Sequence, residues 1–199
     1  MPILFPTSPT LGQVFTSGGR SWVWNGSAWD APTATNTLLA PYGLELVKQQ
    51  VVGTGVSSVI VSDAFNSTYD AYKVIWVNGV GSTAGFMTFR FGTASTEYYQ
   101  TRVGWSYAGV QNVGFDNNQA QFTVMARYSS NHLSCQFDVV NPFAARHTLV
   151  HSGNDVGETA AGVITGIQRS NTSFTSFTLF ANSGTVTGGT IYVYGYRKS

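Results

Sequence analysis

The chain has 199 residues, enough for one medium domain with an appendage or one generous all-β domain. Charged residues make up only 10% of it and aromatics 14%, and the net charge is +1. No basic stripe is present to neutralise phosphates, which argues against a nucleic-acid partner, and a surface so poor in Lys and Glu points towards assembly with neighbours.

Residues 1–35 form the first compositional block. Its opening, "MPILFPTSPT", lacks a basic n-region and a continuous apolar core, so no signal peptide is expected. Pro2, Pro6 and Pro9 hold it extended. The stretch "GQVFTSGGRSWVWNGSAWDAP" then reads as small hairpins. Ser17-Gly18-Gly19-Arg20 is a turn after Val14-Phe15, and Asn25-Gly26 is a type I′ signal after Trp22-Val23-Trp24. Alternation places Trp22 and Trp24 on one face, and Trp29 returns on the next strand to meet them. A three-stranded patch this small cannot bury three indoles by itself, so its apolar face is expected to lie on the rest of the chain or on another subunit. The low-complexity "APTATNT" that follows favours the second.

Residues 36–55 read as a linker. Within them Leu44, Val47 and Val51 keep helix-like spacing, although the same segment could begin the first strand of a domain. From Val56 the pattern changes to period two. Candidate strands are Ser57–Val61, Tyr72–Val80, Gly85–Phe91, Arg102–Tyr107, Ala120–Tyr128, Ser134–Val140, Thr148–His151, Gly162–Arg169, Ser176–Ala181 and Thr190–Arg197. Turn clusters such as Asp116-Asn117-Asn118 and Asn182-Ser183-Gly184 separate them. Short strands at such intervals predict an antiparallel β-sandwich or barrel over residues 56–199. In the last strand Ile191, Val193 and Gly195 share one side and Tyr192, Tyr194 and Tyr196 the other, so the tyrosine row is either a second covered face or an oligomer interface.

Chemistry-bearing residues are sparse. The acids sit singly beside turns and strand ends, where turn and cap roles account for them. His147 and His151 are four apart on a strand, about 13 Å, too far to share an ion. The single cysteine, Cys135, rules out an intrachain disulfide and is expected in the core. The longest apolar runs, such as Val74-Ile75-Trp76-Val77, are far short of a membrane span. No catalytic constellation, metal site or cofactor motif is found.

The leader "GQVFTSGGRSWVWNGSAWD" resembles a motif near the N-termini of tailed-bacteriophage fibre and appendage proteins, with a "W-x-W-N-G-x-x-W" hairpin. "STYDAYKVIWVNGV" and "TGGTIYVYGYRKS" resemble the first and last strands of jelly-roll-like virion domains. The resemblance implies a non-enzymatic virion protein, made in the host cytoplasm. Phe15, Trp22, Trp24 and Trp29 would hold an anchoring module on other tail or capsid proteins. A body that self-associates, in threes, would present loops to a host-surface glycan, with Tyr98, Tyr99, Trp105 and Tyr107 as sugar-stacking candidates. Competing expectations are a capsid decoration, cement or head-fibre protein without a receptor, a carbohydrate-binding module, and a polysaccharide depolymerase.

Overall fold

The structure is a computed structural model that describes residues 3–31, 43–153 and 160–197. The expected linker therefore lies outside the described residues as far as residue 42. The chain divides into two compact units, Met1–Tyr42 and Gly43–Ser199.

The first unit is a three-stranded antiparallel sheet of β1 (Val14–Ser17), β2 (Arg20–Trp24) and β3 (Trp29–Asp30). Ser17 and Arg20 face each other across Gly18 and Gly19, whose φ angles of +58° and +76° are those a two-residue type I′ turn demands. That turn was expected at Asn25-Gly26 and is found here instead. Four residues, Asn25 to Ala28, connect β2 to β3, because the Asn25 side chain builds the turn: its Oδ1 accepts the N–H groups of Ser27 and Ala28, both at 2.8 Å. Only Gly26 is left-handed in this loop, at φ +100°.

The second unit is an all-β sandwich with no helix among the described residues. Its strands are β4 (Leu44–Val51), β5 (Ser58–Val61), β6 (Ala71–Gly81), β7 (Gly85–Phe91), β8 (Tyr98–Ser106), β9 (Gln111–Gln119), β10 (Phe122–Tyr128), β11 (Leu133–Val140), β12 (Thr148–Ser152), β13 (Ala160–Gln168), β14 (Phe177–Ala181), β15 (Val186–Thr187) and β16 (Thr190–Tyr196). The larger sheet runs β4-β16-β6-β11-β12-β13-β8-β9, with β15 attached to β6, and the smaller runs β10-β7-β14-β5. All pairings are antiparallel.

Period-two patterning builds the core. In β11, Leu133, Cys135, Phe137 and Val139 are buried, whereas Ser134 and Gln136 face out. Trp76 and Phe137 from the larger sheet meet Phe89 and Phe177 from the smaller, with Phe89 lying 5.2 Å from Phe137 and 5.1 Å from Phe177 between ring centroids. In β16, Ile191 and Val193 point inward as expected. Gly195 lies under the Tyr69 ring, where a Cβ would come within 2.3 Å of the ring atoms, so only glycine fits there.

Two expectations are corrected. Residues 44–51, read as part of a linker, form β4, paired along β16 at the sheet edge. A register shift between Val193 and Tyr194 breaks the alternation of this pair, which is why β4 mimics helical spacing. Asp116-Asn117-Asn118, read as a turn, lies inside β9. None of the nine residues of β9 is buried, so its sequence carries no core signal.

Candidate functional site

The aromatic face of the first unit is built by two cross-strand pairs, Phe15 with Trp22 and Trp24 with Trp29. Phe5, in the proline-flanked lead-in, lies against it. Its ring is 5.3 Å from Phe15, 5.3 Å and edge-on to Trp22, and 5.5 Å and stacked on Trp29. All five rings are half-buried. Phe5 and the rings themselves supply part of the cover, and Trp22, Trp24 and Trp29 remain only half-buried within the described residues of their own segment. The sequence pointed to the tryptophans and missed Phe5, whose one signal is a lone aromatic between Pro2 and Pro6. The large apolar side chains this unit leaves most open are Leu4, Leu11 and Val14.

On the larger sheet of the second unit, Tyr192, Tyr194 and Tyr196 line the outward face of β16 as the alternation predicts. Tyr192 and Tyr194 stack with centroids 6.2 Å apart. The Tyr196 hydroxyl donates to Asp138 Oδ1 at 2.8 Å, and Asp138 in turn pairs with Lys73 at 3.1 Å. Partial burial and the adjacent carboxylate push the Tyr196 phenol up to about 12. The row therefore stacks along the strand with its end tethered.

The four sugar-stacking candidates do not converge. Tyr98 is wholly buried, edge-on to Phe122 at 4.9 Å, and its hydroxyl accepts the Phe91 N–H at 2.9 Å. Burial pushes this phenol up to about 12. Tyr98 is a core residue with no face open to a ligand, which removes it from the set. Its neighbour Tyr99 points outward with the Arg169 guanidinium 4.1 Å above its ring. Tyr99 borders a hollow of about 530 Å³ shared with Thr101, Phe115, Asn117, Leu149 and Ile167. Trp105 is also outward on β8, but six residues along a strand separate it from Tyr99 by roughly 20 Å. Tyr107 sits in the turn that follows. The outward residues that sequence reading missed are Val113 and Phe115, hidden with β9 itself.

Behind this face a polar cluster ties the sheets together. The Gln100 side chain, 2% exposed, accepts the N–H groups of Thr123 (3.1 Å) and Val124 (3.2 Å) and donates to the Val124 carbonyl. Arg102 Nη1 pairs with Asp116 Oδ2 at 2.9 Å, and the Thr123 hydroxyl donates to the same oxygen. β8 and β9 of one sheet are thus bound to β10 of the other, a structural role in which each side chain has its partner. Among the described residues there is no group of three or more His, Cys, Asp or Glu placed to hold a metal ion. The Cys135 thiol is buried and pushed up to about 12 by that burial, so it is a poor nucleophile at neutral pH.

Comparison of the chain with protein-family models, with curated proteins and with solved structures finds no match.

Proposed function

We propose that the chain is a structural component of a bacteriophage virion, a tail fibre or similar appendage, without catalytic activity. The first unit docks on other virion proteins, and the second self-associates, in threes, and presents its loops to a host-surface glycan. The observation that carries this reading is the division of the chain into a small aromatic hairpin unit, which bears the W-x-W-N-G-x-x-W pattern of such anchors, and a charge-poor β-sandwich with its own complete core. The sandwich connectivity supports the jelly-roll part of the reading. If β8, β9, β12, β13 and the short β15 are set aside, two four-stranded sheets remain, β4-β16-β6-β11 and β10-β7-β14-β5. Docking would fall to the partly open rims of Trp22, Trp24 and Trp29 together with Leu4, Leu11 and Val14.

Infection of a permissive host with phage carrying the gene deleted for residues 1–42 tests the docking. Particles are expected to lack the protein although the remaining unit accumulates in folded form. Particles that retain it would overturn the anchoring role. Imaging of intact particles separates the appendage from a capsid decoration protein by placing the chain on the tail or on the head.

A further inference from the structure

The β8–β9 ribbon is weakly anchored in the core of the sandwich. None of the residues of β9 is buried, and beyond Gln100 the one buried residue of β8 is Gly104. Register pairs Val103 with Val113 and Thr101 with Phe115, and sets Val163 of β13 beside Val103, so these side chains share the outward face with Trp105. Phe115 is 78% exposed, Val113 67% and Trp105 53%, and Tyr107 and Val110 stand open at the ribbon tip.

This is a large bare apolar surface for a free chain. With about 150–250 Å² per aromatic side chain, the open fractions of Trp105, Tyr107 and Phe115 amount to roughly 400 Å². The neighbouring aliphatic residues bring the patch to on the order of 600 Å², the upper end of what a lone soluble domain shows. A stable interface buries about 800 Å² from each partner, a little over half of it apolar, so the patch alone supplies the apolar share.

The chemistry of the face selects the occupant. No outward residue of β8, β9 or β13 is charged, because Arg102 and Asp116 both turn inward and pair with each other. Away from Tyr99, whose ring carries the Arg169 guanidinium, two such faces meet with no like charges opposed and no charge stripped of water, and a charged partner would find little to complement. The outer edge of β9, which has no strand beside it among the described residues, adds backbone donors and acceptors to the same surface.

We propose that the outward face of β8, β9 and β13, centred on Phe115 and Trp105, is the surface through which copies of this chain associate. The proposal rests on the self-association half of the functional reading above and is independent of the docking half. It also moves the subunit contact away from the tyrosine row of β16.

The test is light scattering on the full-length chain, with V113D/F115D compared against Y192S/Y194S. The wild-type chain is expected to run as an oligomer, V113D/F115D as a single chain with unchanged far-ultraviolet circular dichroism, and Y192S/Y194S at the wild-type mass. Should the double variant fail to fold, F115S is used instead, with at least about tenfold weaker association expected from loss of a central aromatic anchor. An undiminished oligomer in V113D/F115D or F115S overturns this interface and leaves self-association standing. Dissociation of Y192S/Y194S alone overturns it in favour of β16. A monomeric wild-type chain overturns both the interface and the self-association on which it rests.

Discussion

The hairpin unit and the β8–β9 ribbon are both small antiparallel ribbons rich in aromatic residues, yet they solve the problem of apolar cover in opposite ways. In the hairpin unit the lead-in lays Phe5 on Trp22, Trp29 and Phe15, and the five rings cover much of one another. On the ribbon, Trp105 and Phe115 lie more than half open on a sheet face over which no described segment passes. A high density of aromatics therefore does not measure the need for a partner. What decides is whether some other stretch of chain returns over the face.

Substitutions in the two regions and in the core between the sheets should separate their roles. The largest effect is that of F89A. Phe89 is fully buried and touches Phe91, Phe122, Phe137 and Phe177, so its loss is expected to cost the sandwich about 3–5 kcal/mol. Calorimetry should show the main transition moving down while the aromatic near-ultraviolet circular dichroism of residues 1–42 persists. Loss of both signals together would mean that the two units are not separate.

Alkaline pH acts next. The Tyr98 phenol is raised from 10.0 to about 12 in the folded chain, so the folded state holds a proton that the unfolded state releases. The stability linked to it is complete below pH 10 and is lost as pH rises through 12, on the order of 2–3 kcal/mol in all. Titration at 295 nm should leave Tyr98 un-ionised until the chain unfolds, and a Tyr98 that ionises near 10 within folded protein would contradict its burial.

Q100L leaves the part-buried N–H group of Thr123 and the buried N–H and carbonyl of Val124 without their partner, and is expected to cost about 2 kcal/mol in urea unfolding. The same experiment probes the ribbon, because hydrogen exchange in β8 and β9 should accelerate before exchange in β6 and β11 does. The smallest effect is F5A, which removes ring contacts worth about 1 kcal/mol. It should redden tryptophan emission and leave the sandwich transition in place. Unchanged emission would mean that Phe5 shields nothing.

The fold was legible wherever alternation faced a core. β6, β7, β11 and β16 follow from their inward residues, and Gly195 keeps the inward side of β16 where the period puts it. Legibility failed at the edges. β9 has no buried residue to impose a pattern, so its asparagines and aspartate read as a turn. β4 carries the register shift opposite β16, which scrambles its period. Of the candidate site, the cross-strand tryptophans and the tyrosine row were readable from alternation. Adjacent Tyr98 and Tyr99 must face opposite ways, but only the pairing with β13 and β9 shows that Tyr98 is the inward one. Phe5 was out of reach because proline-flanked segments carry no periodicity that reports which surface they return to.

In the proposed arrangement the sandwich carries both its own core and its own subunit contact, and the hairpin unit contributes neither. Light scattering on the chain truncated to residues 43–199 measures this most directly. A folded species with the same number of chains as the full-length protein is the expected result, and a folded single chain, or an unfolded one, contradicts it.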